Sequence, residues 1–376
     1  TFCDPYDIFY RGGALALGVG VSWSLLAGVL MALAWHPGDE QEKAQLLGQV
    51  IQAMDGMARG QTFDHLPLND LPLIGREGFA GFFADIVAHP TFDDYWRRVH
   101  CPHEALTVPA LHVGGWYDIF IGSTLRDFNA IQDAGNAHQK VMIGPWVHGS
   151  YDADIGDVDF GLQASGMVVV PDEIHLRWFD YWLKGTENGF AEEAPVRIFV
   201  MGENRWRSEN EWPLARTQFV PYYLHSGGAA NTLSGDGVLA PQAPSEEPVD
   251  SFLYDPRNPV PTRGGGLCCW RAALPPGAFD QRELEARPDV LVYSTPPLEQ
   301  AVEVTGPVEV HLWASTSAPD TDFTAKLVDV SPCGYARSLN DGIVRARYRN
   351  STGSAEPIRP GDVYEYTIDL EATSNV

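Results

Sequence analysis

Gly114-Gly115-Trp116-Tyr117-Asp118 and Gly144-Pro145-Trp146-Val147-His148 decide how this chain of 376 residues is read. Each stretch follows a short apolar run, Pro109-Ala110-Leu111-His112-Val113 and Lys140-Val141-Met142-Ile143. The pattern predicts two buried strands at residues 108–113 and 140–143, separated by a helix over 122–134. Asp118 and His148 then stand just past the ends of successive strands, 30 positions apart. A side chain there is held rigidly at the sheet's C-terminal edge, where ligands and catalytic groups of α/β proteins collect.

An imidazole in that setting is suited to general-base work, and a carboxylate beside it can fix its tautomer and stabilise its charged form. The plainer reading makes Asp118 a helix cap and His148 a structural histidine. The matched placement of the two favours the catalytic reading. Asp followed by His in these places is how an α/β-hydrolase supplies the second and third members of its triad, in the order Ser, Asp, His. A nucleophilic serine is therefore expected upstream of Asp118. Gly20-Val21-Ser22-Trp23-Ser24 imitates the start of a Gly-x-Ser-x-Gly elbow, but it runs on into Leu25-Leu26 with helical character. Ser22 is therefore a poor nucleophile, and the serine is expected to be encoded before Thr1.

Composition narrows the classes. Fifty acidic against 25 basic residues give a formal charge of −25, which repels a phosphate backbone and argues against nucleic-acid binding. A hydrophobic fraction of 44% with 20% charged residues describes a globular chain. Residues 14–34 form the most apolar run, but interspersed Ser, Gly and Trp make it read as a buried helix pair, not a membrane span. The five cysteines lack a zinc-type spacing, so no disulfide framework is expected and a reducing, cytoplasmic compartment is favoured. The adjacent Cys268 and Cys269 read as two small apolar side chains lining a loop.

Residues 14–100 read as helical, with Leu46, Leu47, Val50, Ile51 and Met54 at helical spacing. A further helix is expected over 173–184, stopped by Gly185. Beyond Pro195, short β-branched runs at 196–200, 218–224, 290–293, 308–313 and 322–330 alternate with Gly/Pro-rich loops, the texture of an all-β sandwich or jelly roll.

The strings at 114–120 (GGWYDIF), 144–148 (GPWVH), 177–185 (RWFDYWLKG), 200–212 (VMGENRWRSENEW) and 320–330 (DTDFTAKLVDV) resemble the cocaine esterase / X-Pro dipeptidyl-peptidase-like serine hydrolases. The resemblance implies an α/β plus all-β architecture: a partial α/β-hydrolase core with a helical cap insertion, followed by a jelly-roll β-sandwich. The implied divisions are 1–13 for the end of the first half of the core, 14–104 for the cap, 105–190 for the second half of the core, and 195–376 for a galactose-binding-like jelly roll. Both ends read as cut from a longer protein.

By the same resemblance Asp118 and His148 are the triad acid and base, while the serine and the oxyanion-hole groups lie upstream. Trp23, Phe120, Cys268 and Cys269 fall where relatives contact the acyl group; simple core packing is the alternative for Trp23 and Phe120. Apolar Ile119, Phe120 and Ile121 argue against the branch that holds a substrate ammonium with carboxylates. The implied activity is hydrolysis of small-molecule esters or amides through an acyl-enzyme, with no metal or organic cofactor, no nucleic-acid partner, no membrane partner, and self-association left open. The alternatives are an X-Pro dipeptidyl-peptidase and a non-catalytic jelly-roll binding protein.

Overall fold

A computed structural model describes residues 4–35, 38–74, 80–100 and 102–376. Its centre is a mixed four-stranded sheet in the order Ala110–Tyr117, Gln139–Val147, Val196–Val200, Arg205–Glu209. The first three strands are parallel and the last is an antiparallel edge. The first two strands are buried along most of their length, Ala110–Tyr117 from Gly114 onward and Gln139–Val147 almost throughout, which is why those segments read as continuous apolar runs instead of alternating ones.

All but the last residue of each motif lies inside a strand: the strands extend to Tyr117 and Val147, so Asp118 and His148 are the first residues past their ends. Glycine permits this. A Cβ on Gly115 would stand 2.1 Å from the backbone oxygen of Trp146, so the two strands close together only with hydrogen at that position. Trp116 Nε1 donates to the Phe199 carbonyl at 2.7 Å and Trp146 Nε1 to the Ala164 carbonyl at 2.7 Å, so each buried indole is satisfied. Helix Ile121–Asp133 covers the sheet with Ile121, Leu125 and Phe128, spaced along one face, and buries Ile131 as well. Helix Pro171–Lys184 ends on Gly185 in the left-handed conformation, as its sequence suggests.

The apolar run near the start forms one continuous helix, Leu17–Ala34, and not a helix pair; its middle turn, Ser24–Val29, is π-helical. Gly20 and Gly28 do not break it, because they give room to neighbours: a Cβ on Gly28 would meet Ala80 at 2.8 Å. The helix is long and apolar enough to cross a membrane by composition, but Val21, Leu25, Val29 and Leu33 pack with Leu46, Val50, Met54 and Met57 of helix Glu40–Met57 and with Phe83. Its exposed flank carries Trp23 and Met31.

The C-terminal half is β-rich. Val304–Ala314 pairs antiparallel with Tyr364–Asn375, and Asp322–Val330 with Ala336–Arg345. Val344, Tyr366, Ile368 and Leu370 fill the space between them with Phe323 and Leu327. Of the expected strand 218–224 only Tyr223–His225 pairs, because Pro221 has no N–H to offer a ladder. Within 290–293 only Leu291 makes a bridge, to Asn231; the neighbouring bridge to Val238 belongs to Ser294. The two halves are stitched together: Tyr117 Oη donates to the Ser338 carbonyl at 2.9 Å, and Met201 and Val376 continue the central sheet with the last strand.

Candidate active site

Asp118 leaves the first strand through a turn in which its N–H donates to the Gly115 carbonyl at 3.0 Å. Its carboxylate does two things at once. Oδ1 accepts the Phe120 N–H at 2.9 Å, and both oxygens face Nδ1 of His148, at 3.2 and 3.3 Å. The capping and pairing readings of Asp118 are thus compatible: the turn bond aims the carboxylate that the histidine meets.

His148 follows the second strand directly. Phe120 packs edge-on against its ring at 4.9 Å between centroids. The imidazole pKa is raised above its ordinary value, first by the hydrogen bond to Asp118, against the opposing effects of burial and of the Arg271 charge. With Nδ1 turned to the carboxylate, Nε2 has no hydrogen-bond partner among the described residues. That leaves it as the atom able to exchange a proton with another group.

His148 lines an open cavity of about 560 Å³ together with Trp23, Leu26, Gly149, Ser150, Asp152, Cys269 and Arg271. Of the residues singled out by sequence, Trp23 and Cys269 stand in this wall. Phe120 touches the imidazole from the side. Cys268 is buried behind the wall with Val19 and Ile119. Cys268 and Cys269 are joined in a disulfide, which corrects the reading of two free apolar side chains. Cys269 adopts a left-handed backbone, φ 77°, a conformation that composition and spacing do not reveal. Cys333 is a free, exposed thiol, and Cys3 and Cys101 lie outside the described residues.

Arg271 and Asp152 were not signalled by any motif. Arg271 Nη2 donates to the His148 carbonyl at 3.3 Å, and its Nη1 stands 3.8 Å from Asp152, which also accepts from Ser150 Oγ. Ser22 is fully buried within the helix, its hydroxyl donating to the Val19 carbonyl at 3.4 Å. It sits on no strand-to-helix turn. Among the described residues no group of three or more His, Cys, Asp or Glu is arranged to hold a metal ion.

Comparison with known proteins covers the chain from end to end. Residues 1–150 match the family model of the X-Pro dipeptidyl-peptidase (S15 family), and residues 188–376 match that of the X-Pro dipeptidyl-peptidase C-terminal non-catalytic domain. A cocaine esterase of Rhodococcus sp. (strain MB1 Bresler) is 40% identical over 367 residues, 97% of this chain and 62% of that protein. Among solved structures, an α-amino acid ester hydrolase is 25% identical with a TM-score of 0.66, covering 86% of this chain and 54% of the other. An aminopeptidase from a marine-sediment thaumarchaeon is 23% identical with a TM-score of 0.69, covering 98% and 60%. The chain therefore spans less than two thirds of the relatives it matches.

Proposed function

The chain belongs to the X-Pro dipeptidyl-peptidase (S15) family, and from that premise we propose that it carries the acid–base half of a serine hydrolase acting on small carboxylic esters. The observation that carries the proposal is the Asp118–His148 hydrogen bond beside an open cavity, with Nε2 unengaged. In the proposed reaction a serine hydroxyl gives its proton to His148 Nε2 as its oxygen attacks the acyl carbon. The imidazolium, steadied by Asp118, returns that proton to the departing alcohol. Water then repeats the exchange and frees the acid from the acyl-enzyme.

We place the nucleophile outside residues 1–376, since Ser22 is buried in a helix and no hydroxyl meets Nε2 among the described residues. Trp23, Phe120 and the Cys268–Cys269 pair are proposed to bound the acyl group. Residues 14–104 are proposed as the cap, 105–190 as the second half of the core, and 195–376 as the C-terminal domain. Amide cleavage of the X-Pro type is the second reading. It needs a carboxylate for the substrate's ammonium, and Asp152 stands in the cavity. That carboxylate already faces Arg271 and Ser150, which favours the ester.

The test is active-site titration of the full-length polypeptide with a p-nitrophenyl acyl ester, followed by mass spectrometry of the acyl adduct. One acyl group on a single serine, with a burst of one equivalent, is the expected result. An adduct on His148 or a cysteine, or turnover without a covalent adduct, would contradict it.

A further inference from the structure

The last strand, Tyr364–Asn375, is irregular where it passes the candidate active site. Ala372 pairs with Pro307 and Asp369 with Glu309, so Leu370 and Glu371 together oppose the single residue Val308. This is a β-bulge, a device that re-aims one side chain out of a ladder. The residue in the left-handed conformation of such a bulge is ordinarily glycine; here it is Glu371, with φ 63°. The Asn340 side-chain amide clamps the bulge, donating to the carbonyls on either side of Glu371, those of Leu370 at 3.0 Å and Ala372 at 2.9 Å.

The re-aimed carboxylate points into the hydrolase half. It lies over Gly122 in the first turn of helix Ile121–Asp133, where a Cβ would come within 2.7 Å of Oε1. It is mostly buried and pairs with Arg11 at 3.5 Å. Arg11 in turn donates to the carbonyl of Ile119, the residue immediately after Asp118. The other charged groups around Glu371 are Arg126, itself bound to Asp7, and the carboxylates Asp369 and Asp341. A strained backbone kept at a non-glycine residue calls for a role for the side chain itself.

We propose that Glu371 is a positioning residue for the Asp118–His148 pair, acting through Arg11 and the Ile119 carbonyl, so that the β-rich half sets the geometry of the proton-transfer site. The proposal rests on the acid–base reading of that pair. Arg11 is the element that reaches both halves: one nitrogen meets Glu371 and another holds the turn that aims the Asp118 carboxylate. A lysine would keep the charge and lose the fork.

The experiment is an NMR titration of the His148 imidazole in the full-length polypeptide, with thermal unfolding measured alongside. Asp118→Asn should lower the midpoint of His148. Glu371→Gln and Arg11→Lys should each lower it by about 0.5 pH unit or more, because the carboxylate facing Nδ1 slips from alignment. Gly122→Ala, which displaces Oε1, should act in the same direction. If Glu371→Gln does not fold, Arg11→Lys and Gly122→Ala decide the matter. A midpoint that moves in Asp118→Asn and stays put in the folded variants of Glu371, Arg11 and Gly122 would overturn the positioning role, whatever their melting temperatures do. A midpoint that does not move even in Asp118→Asn would instead overturn the acid–base reading.

Discussion

His148 Nδ1 sits within 3.3 Å of both carboxylate oxygens of Asp118, with the ring edge-on to Phe120. The two residues come from consecutive parallel strands, and the contact exists because Gly115 lets those strands close at their C-terminal ends. Position, tautomer and charge preference of the imidazole all follow from this one contact.

The pair has a signature in pH-dependent stability. The folded-state pKa of His148 is raised, so its contribution is fully present below the unfolded value of about 6.5 and is lost as pH rises through the folded value. The gap in unfolding free energy between wild type and Asp118→Asn should be wider at acidic than at alkaline pH. The His148 side chain is 39% exposed, so screening keeps the difference under about 1 kcal/mol. Denaturant unfolding at both pH values checks the sign; a gap wider on the alkaline side would contradict it.

Gly115→Ala should destabilise the fold by ~3 kcal/mol or more, since the added methyl meets backbone and not a yielding side chain. Gly48→Ala is the contrasting control. Gly48 is exposed in the interior of helix Glu40–Met57 with nothing within 4 Å of its would-be Cβ. That change should stabilise by about 0.5–1 kcal/mol. Chemical denaturation of both variants measures the contrast.

Those glycines also show what the sequence could and could not reveal. Asp118 and His148 are legible because apolar runs and a fixed order of residue types mark strand ends, and the helix Pro171–Lys184 is legible from its spacing and Gly185. The apolar runs alone put the strand ends at 113 and 143, four residues short of Tyr117 and Val147, because glycine and proline read as breakers when no partner is visible. Gly115 is instead demanded by Trp146, which is distant in sequence. Left-handed backbone at Cys269 and Glu371 leaves no trace in composition. Neither the cysteine bond nor the bulge could therefore be read before the fold was known. Arg271 reached the cavity the same way, through a loop whose path depends on the assembled halves.

Cysteine chemistry offers a direct check on the cavity wall. In the folded, unreduced protein, iodoacetamide should modify Cys333 and spare Cys268 and Cys269, which become reactive after treatment with a dithiol. Peptide mass spectrometry distinguishes the sites. Modification of Cys268 or Cys269 without reduction would contradict the bond.

Ser22→Ala should leave ester hydrolysis by the full-length polypeptide within about twofold of wild type, because the hydroxyl is buried and bonded within its own helix. Loss of the burst in this variant would make the segment at Gly20–Ser24 the elbow after all.

The central claim is that His148 is the general base and Asp118 its partner. The most direct measurement is kcat/KM for a small aryl ester in the full-length polypeptide, comparing wild type with His148→Ala, with thermal unfolding as control. The account predicts a loss of ~10⁴-fold or more with little change in stability, as expected when one member of a catalytic unit is removed. Activity within about tenfold of wild type, a difference of only ~1.4 kcal/mol in the barrier, would contradict it.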